Sequence, residues 1–552
     1  MTTQRRDQLI IFCLFFITPI LYALITQHAW EDWYITYRSS KNLAIGNGLV
    51  FRPGERLHTF TSPLGTLLPA FLTWITGNYS DDLVLWLYRI CNSILLGLSG
   101  VLLYRFGKQV LRHSLPLVLL LGLVLFDSKL IDNSINGMET ALMIFFLTFC
   151  LYVMTGGTRR LVLPLALGFA GLMWSRPDGF IHVSGLSIGL LIWAPANGTV
   201  RTRADWFQVL VKAALLGLLF YLPWILWAWW YYGTPVPNTV LAKGLNSTTD
   251  IKALLKTLVL FPYVSLTDPA VRLYQVYAPS YSFMGGWPAW VATVSKLLGW
   301  IACFYWIVPG AKKWGRIISF GALISCLYLS LIKSNYPWYI PMATLLCSGS
   351  LVILFDQLIE RFRLTVARQI TYGLMLIVVL FQIGLLGAMA YQMRVQQATI
   401  ENNRQQVGLW LKSQAGSPKE TVFLECLGYI GFYSGLTMYD FPGLSSSEVV
   451  NARRQIGAMD YPFVFAPLIE QLKPDWVVLR PYEHGVISTK SQVLSQEYEM
   501  VREFSVWDKV ESMDVPGKSY MEWDAVFRVF RRKKEGTTLS QQPKSNELTT
   551  SL

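Results

Sequence analysis

Long apolar runs alternate with short polar segments through the first 393 residues. Segments that are hydrophobic on every face suit a lipid surround rather than water. About eleven of them read as membrane spans: residues 9–29, 83–104, 115–126, 139–155, 161–174, 180–194, 207–230, 289–309, 317–332, 340–355 and 370–391. Several are shorter than the roughly 20 residues a perpendicular helix needs, so their polar ends dip toward the bilayer. Residues 63–76 form one more apolar patch, short and flanked by proline. It reads as an interfacial helix, with a further span as the alternative.

The pattern changes after residue 393. Residues 394–412 look helical, and TVFLE (421–425) and DWVVLR (475–480) are short β-rich runs with turn residues between them. Residues 394–532 are therefore expected to form a small extramembrane α/β domain, and the polar stretch 533–552 a disordered tail. GYIGFYSG (428–435) is glycine-rich but lacks the spacing of a dinucleotide site, so it reads as a tight turn. The expected fold class is mostly α: a polytopic membrane domain over 1–393, with a first outer loop at 30–82, followed by the α/β domain.

Composition agrees. The 552 residues are 53% hydrophobic, with 21 Trp and 27 Tyr to suit lipid–water interfaces. A net charge of +13 raises nucleic acid as a partner. The bases instead cluster between apolar runs, so they are topology signals and contacts to anionic lipids, and no nucleic acid is expected. A cytoplasmic N-terminus puts Arg5/Arg6, Arg105/Lys108/Arg112, Arg159/Arg160, Arg201/Arg203, Lys312/Lys313/Arg316 and Arg361/Arg363/Arg368 inside. The short outside loops then hold one base each: Lys129, Arg176 and Lys333. The first run follows Arg5 and Arg6 as a signal peptide would, but lacks a small-x-small cleavage site and is read as a retained helix. Seven cysteines without a CxxC pair point to neither a disulfide framework nor a Cys-ligated zinc site.

This topology gathers the unusual polar stretches on one face: EDWYITYR (31–38), NGMET (136–140), SRPDG (175–179), YYGTPVPNTVLAK (231–243) and NYPWY (335–339). Glu31 and Asp32 stand where desolvation raises a carboxylate toward proton-accepting range. The pair serves as a base, holds a divalent cation, or marks a helix end. Arg38, Lys41, Arg52 and Arg56 suit an anionic headgroup, either phospholipid or a substrate phosphate. Arg176 and Asp178 face a cavity or pair with each other. Tyr34, Lys41, Arg56, His58, Glu139, Asp178, Asn238, Lys333, Trp338 and Tyr339 are expected to line a substrate cavity. No P-loop, HExxH, GxSxG or EF-hand pattern occurs, which disfavours ATP-driven transport, zinc proteolysis and serine hydrolysis. The remaining pattern fits an enzyme that takes an activated group from a lipid carrier.

The stretch EDWYITYRSSKNLAIGNGLVFRPGERLHTFTSPL resembles the first loop of membrane glycosyltransferases of the GT-C fold, and most of all the bacterial arabinofuranosyltransferases of the AftB type. NGMET, SRPDG, YYGTPVPNTVLAK, LGYIGFYSGLTMYDFPGLSS and LKPDWVVLRPYE follow in that family's order. Glu31 stands where the family usually has Asp, LHTF (57–60) replaces an acid-Gly-aromatic segment, and Gly65 replaces a common Trp. The resemblance implies a polyprenyl-phosphate sugar donor, arabinofuranose first among the candidates, and a cell-envelope glycan or protein acceptor. It implies an inverting reaction with Asp32 as general base and Glu31 supporting it or sharing a metal. Arg38, Arg176 and Lys243 are then the donor-phosphate cations. No cofactor is required on this reading, and a divalent cation (Mg, Mn or Ca) is the alternative. The implied location is the bacterial inner membrane, with the active site and C-terminal domain outside the cytoplasm. Transfer of a hexose or aminosugar to protein or lipid A is the alternative activity. A lipid or sugar transporter is disfavoured because no repeat is visible and the charges gather on one face.

Overall fold

The computed structural model describes residues 3–157, 160–198, 200–244, 275–331, 336–362 and 365–533. Lys333 and the tail beyond Lys533 lie outside the described residues.

A helix occupies each of the eleven expected spans. In order these are α1 (Thr3–Thr26), α4 (Asp81–Val110), α5 (Ser114–Leu125), α7 (Thr140–Tyr152), α8 (Val162–Ser175), α9 (Gly179–Trp193), α10 (Arg203–Tyr232), α12 (Ala289–Phe304), α13 (Lys313–Leu331), α14 (Pro341–Arg361) and α15 (Thr365–Gln396). Among the described residues, six helices are long and apolar enough to cross a membrane. A bent pair, α5 with α6 (Ser128–Ile135), makes a seventh. The chain is thus a mostly α, polytopic membrane protein with a small C-terminal sheet.

Local signals explain the ends. Thr202 and Asp205 form a reciprocal capping box at the start of α10, and Gly233 closes it in the left-handed conformation. Ser62 caps α3 (Pro63–Ile75), where Pro63 occupies the first turn with its missing N–H. This is the short apolar patch at 63–76, and it packs on α2 (Glu31–Ala44) and α4. Most of the expected first loop is therefore helical.

Lys129 departs from its expected place in an exposed loop. It lies on α6, whose eight residues are all buried, and its ammonium donates to the Ala278 carbonyl. Polar α6 survives burial because partners meet it: Asp132 accepts from Tyr22, Trp30 and Asn136.

The expected domain boundary at 393/394 falls inside a continuous rod. Helix α15 runs through a π-helical segment, Gln397–Glu401, into α16 (Asn402–Gln414). Beyond it, a five-stranded sheet has the order β2-β1-β3-β5-β4. Strands β1 (Thr421–Leu424), β2 (Thr437–Asp440) and β3 (Trp476–Leu479) are parallel; β5 (Val526–Arg532) is antiparallel to β3 and to the edge strand β4 (Tyr498–Ser505). Alternate residues feed two cores. Val422, Leu424, Trp476 and Val478 pack with Val407 and Leu411 of α16. Phe423, Val477 and Leu479 pack with α18 (Ser447–Ile456) and α19 (Phe465–Leu472) on the other face. GYIGFYSG is not a tight turn. It forms helix α17 (Gly428–Ser434), ended by Gly435 at φ +69°. Gly428 must lack a side chain, because a Cβ there would strike the Glu31 backbone.

Candidate active site

Glu31 and Asp32 open α2, where the helix dipole favours negative charge. Their partners differ. One Glu31 oxygen accepts the Gly428 N–H at 3.0 Å, and the other meets Arg404 at 3.3 Å. Burial pushes the Glu31 pKa up to about 8; Arg404 opposes this, while Glu425, Glu401 and Asp524 add to it. Burial also raises Asp32, with Lys243 opposing. Among the described residues, no donor is bonded to the Asp32 carboxylate. Asp32 stands on the shared wall of two cavities. The larger, about 840 Å³, is lined by Glu31, Arg404, Glu425 and Arg480 as well. The smaller, about 530 Å³, is lined also by Glu139, Arg176 and Tyr339. Ile35, one helical turn after Asp32, lines both as well.

The expected phosphate-binding cations have separate fates. Lys243 ends α11 (Asn238–Gly244), lies over the Tyr336 ring at 4.8 Å and lines both cavities. Among the described residues it has no carboxylate partner. Arg176 lines the smaller cavity but is held between Asp178 at 2.6 Å and Glu139 at 3.3 Å, over the Tyr339 ring. Arg38 lines neither cavity. It donates to the carbonyls of Gly431, Gly435 and Leu436, over the Phe51 ring, and burial with Arg52 nearby pulls its pKa down to about 10. It therefore closes the end of α17.

The other expected lining residues divide in the same way. Trp338 lines both cavities; Glu139 and Tyr339 line the smaller. Asp178 reaches the polar pocket behind Arg176. Lys41 is paired with Asp81 at 2.7 Å, and Arg56 lies exposed over Tyr231. His58 is buried flat against Tyr232, and burial pushes its pKa down to about 4. Tyr34 is packed among Tyr429, Phe432 and Tyr433. Asn238 donates to the Gly443 and Leu444 carbonyls and fixes α11 to the C-terminal domain. These five line neither cavity.

The larger cavity owes half its wall to residues that the sequence reading passed over. Arg404 bridges Glu31, Glu401 and Asp524, and Arg480 bridges Asp524, Glu425 and Glu483. Burial alone would raise Asp524; Arg480 and Arg404 outweigh it and hold the carboxyl below its ordinary range. Burial would likewise raise Glu401, but Arg404 and His28 hold it low. One signal was present: TVFL is followed by Glu425, TMY by Asp440 and WVVL by Arg480. Each parallel strand thus delivers a charged residue at its carboxyl end, the edge where α/β sheets place ligands.

Comparison with solved structures decides the architecture. The archaeal oligosaccharyltransferase AglB from Archaeoglobus fulgidus, in complex with an inhibitory peptide and a dolichol-phosphate, superposes with a TM-score of 0.55 at 11% identity, over 96% of this chain and 89% of that one. The chain shares the fold of that oligosaccharyltransferase, in line with the GT-C fold expected from the first-loop resemblance. A second structure of an Archaeoglobus fulgidus oligosaccharyltransferase, complexed with Zn and sulfate, gives 0.51 at 12% identity, over 84% of this chain and 67% of that one. In sequence, the chain is 26% identical to the terminal beta-(1->2)-arabinofuranosyltransferase of Mycobacterium tuberculosis. That match covers 39% of this chain and about a third, 35%, of the relative. Residues 388–527 match a domain of unknown function, DUF8728, which takes in the rod's end and nearly all of the sheet.

Among the described residues, Asp32 and Lys243 line both cavities without a carboxylate–cation partner. A closed metal site is a poor fit, because the Glu31 oxygens already face Gly428 N–H and Arg404.

Proposed function

We propose that the chain is an inverting membrane glycosyltransferase acting on the extracytoplasmic face of a bacterial inner membrane. It moves a sugar from a polyprenyl phosphate to a hydroxyl of a cell-envelope glycan. The observation that carries this reading is the placing of Asp32 and Lys243 together on the wall between two cavities. The acceptor O–H gives its proton to the Asp32 carboxylate as its oxygen bonds to the anomeric carbon. The bond from that carbon to the phosphate oxygen breaks on the opposite face, and the polyprenyl phosphate leaves with the electron pair. Lys243 meets the charge developing on the phosphate, and it needs no reorganisation to do so. Burial pushes the Glu31 pKa up to about 8, whereas Lys243 opposes the rise at Asp32, which makes Asp32 the better placed of the two to take the proton.

The donor class is supported by the dolichol-phosphate complex of AglB, and arabinofuranose by the mycobacterial relative. Tyr336, Trp338, Phe441, Tyr520 and Trp523 line the larger cavity beside Glu425 and Arg480. Aromatic faces with a polar handle suit the C–H faces and hydroxyls of a sugar acceptor. The clustering of bases between apolar runs supports an N-terminus in the cytoplasm. The test supplies purified enzyme with defined polyprenyl-phosphate pentose, hexose and aminosugar donors. The pentofuranose donor should be consumed, with inversion at the anomeric carbon. Consumption of the hexose or aminosugar donor alone would reassign the sugar, and no consumption of any donor would overturn the reading.

A further inference from the structure

We propose that Arg453 of the C-terminal domain is a positioning residue for Lys243. The C-terminal domain then sets the place of the cation that meets the donor phosphate, an inference that rests on the reading above.

Lys243 carries its charge on a flexible four-carbon stem, so its place depends on the backbone beneath it. That backbone belongs to α11, a helix of seven residues that is too short to hold itself in place. Two side-chain attachments hold it. At its start, Asn238 donates to Gly443 O at 2.7 Å and Leu444 O at 3.2 Å. Near its end, the buried Arg453 donates from one nitrogen to Ala242 O and to Pro442 O, both at 2.8 Å. Ala242 immediately precedes Lys243.

Both attachments reach the same loop. Asp440, at the end of β2, is wholly buried and accepts the N–H groups of Leu444 at 2.6 Å and Ser445 at 2.8 Å. Pro442 lines the larger cavity and Leu444 lines both. The Arg453 guanidinium lies over the Phe441 ring at 5.0 Å. A continuous line of contacts thus runs from the sheet through Asp440 and the 440–445 loop to Arg453, and from there to the residue before Lys243. Charged donors on carbonyls are among the stronger neutral-partner hydrogen bonds, and two from one nitrogen fix direction as well as distance.

The test measures affinity for undecaprenyl phosphate and transfer turnover on full-length purified enzyme. Lys243→Ala should weaken lipid binding. Arg453→Ala should weaken it about tenfold, the size of one lost charge-assisted bond, and should lower turnover in the same direction as Lys243→Ala but by less, because Lys243 also meets the charge that develops on the phosphate. Arg453→Lys should recover part of the loss, because an ammonium reaches one of the two carbonyls. In a Lys243→Ala background, Arg453→Ala should cost no further affinity. Equal losses in both backgrounds, or unchanged binding in Arg453→Ala while Lys243→Ala binds weakly, would overturn the proposal. If Arg453→Ala does not fold, the same cycle run with Arg453→Lys decides it. Wild-type binding by Lys243→Ala would overturn the phosphate role of Lys243 itself, and this role of Arg453 with it.

Discussion

The two walls of the larger cavity carry similar residue types and use them in opposite ways. On the C-terminal wall, Arg404 and Arg480 are heavily paired: each guanidinium is buried and meets three carboxylates. On the opposite wall, Asp32 and Lys243 line the cavity without a carboxylate–cation pair between them. A cation held by three carboxylates has a settled place and little left to give a substrate. A charge left partly unmet in a desolvated site is one that a substrate can complete. The contrast assigns holding to the first wall and chemistry to the second.

Breaking the heavily paired wall should have the largest effect on the fold. Arg480→Ala leaves Glu425, Glu483 and Asp524 without their shared cation, and removing one partner from a buried network costs about 3–5 kcal/mol. Thermal unfolding should show the C-terminal domain melting earlier, with the membrane helices less affected. Lys243→Ala makes the opposite case. Thermal stability should stay close to wild type while kcat/KM falls about ten- to hundredfold, equivalent to about 1.4–2.8 kcal/mol of lost transition-state stabilisation. A large stability loss in Lys243→Ala would erase the distinction between the walls.

Glu31 sits at the seam and gives the smallest expected effect. Its folded pKa of about 8 exceeds the ordinary value of 4.5. Between those values the folded chain holds a proton that the unfolded chain has released. Stability from this group is therefore present in acid and is lost as pH climbs through about 8. Glu31→Gln should flatten that decline, read as the slope of Tm against pH from 6 to 9. It should also delay the fall of activity above pH 8, because no second anion then forms beside Asp32.

The membrane domain was legible because lipid imposes one rule on every span. Eleven apolar runs each became a helix, and the five polar stretches between them supplied Glu31, Asp32, Glu139, Arg176, Lys243 and Trp338 to the cavities. What a side chain does once it arrives was harder to read. Arg38 looked like a phosphate ligand from its depth and charge, yet it serves three carbonyls at the end of α17 and just beyond it. That partner lies nearly four hundred residues away, and no local spacing announces it. Lys129 misled for a related reason: its charge suggested a short outside loop, while α6, which carries it, is buried with Asp132 accepting from Tyr22 and Trp30. Arg404 and Arg480 were overlooked because the C-terminal domain was read as an appendage, whereas its strand ends face α2.

The central claim is that Asp32 removes the acceptor proton, and a paired measurement on Asp32→Asn tests it most directly. Affinity for undecaprenyl phosphate and the rate of sugar transfer are taken on the same purified preparation. The account predicts affinity within about threefold of wild type and transfer slowed by about 10²–10⁴. Transfer at the wild-type rate, with binding intact, would contradict it.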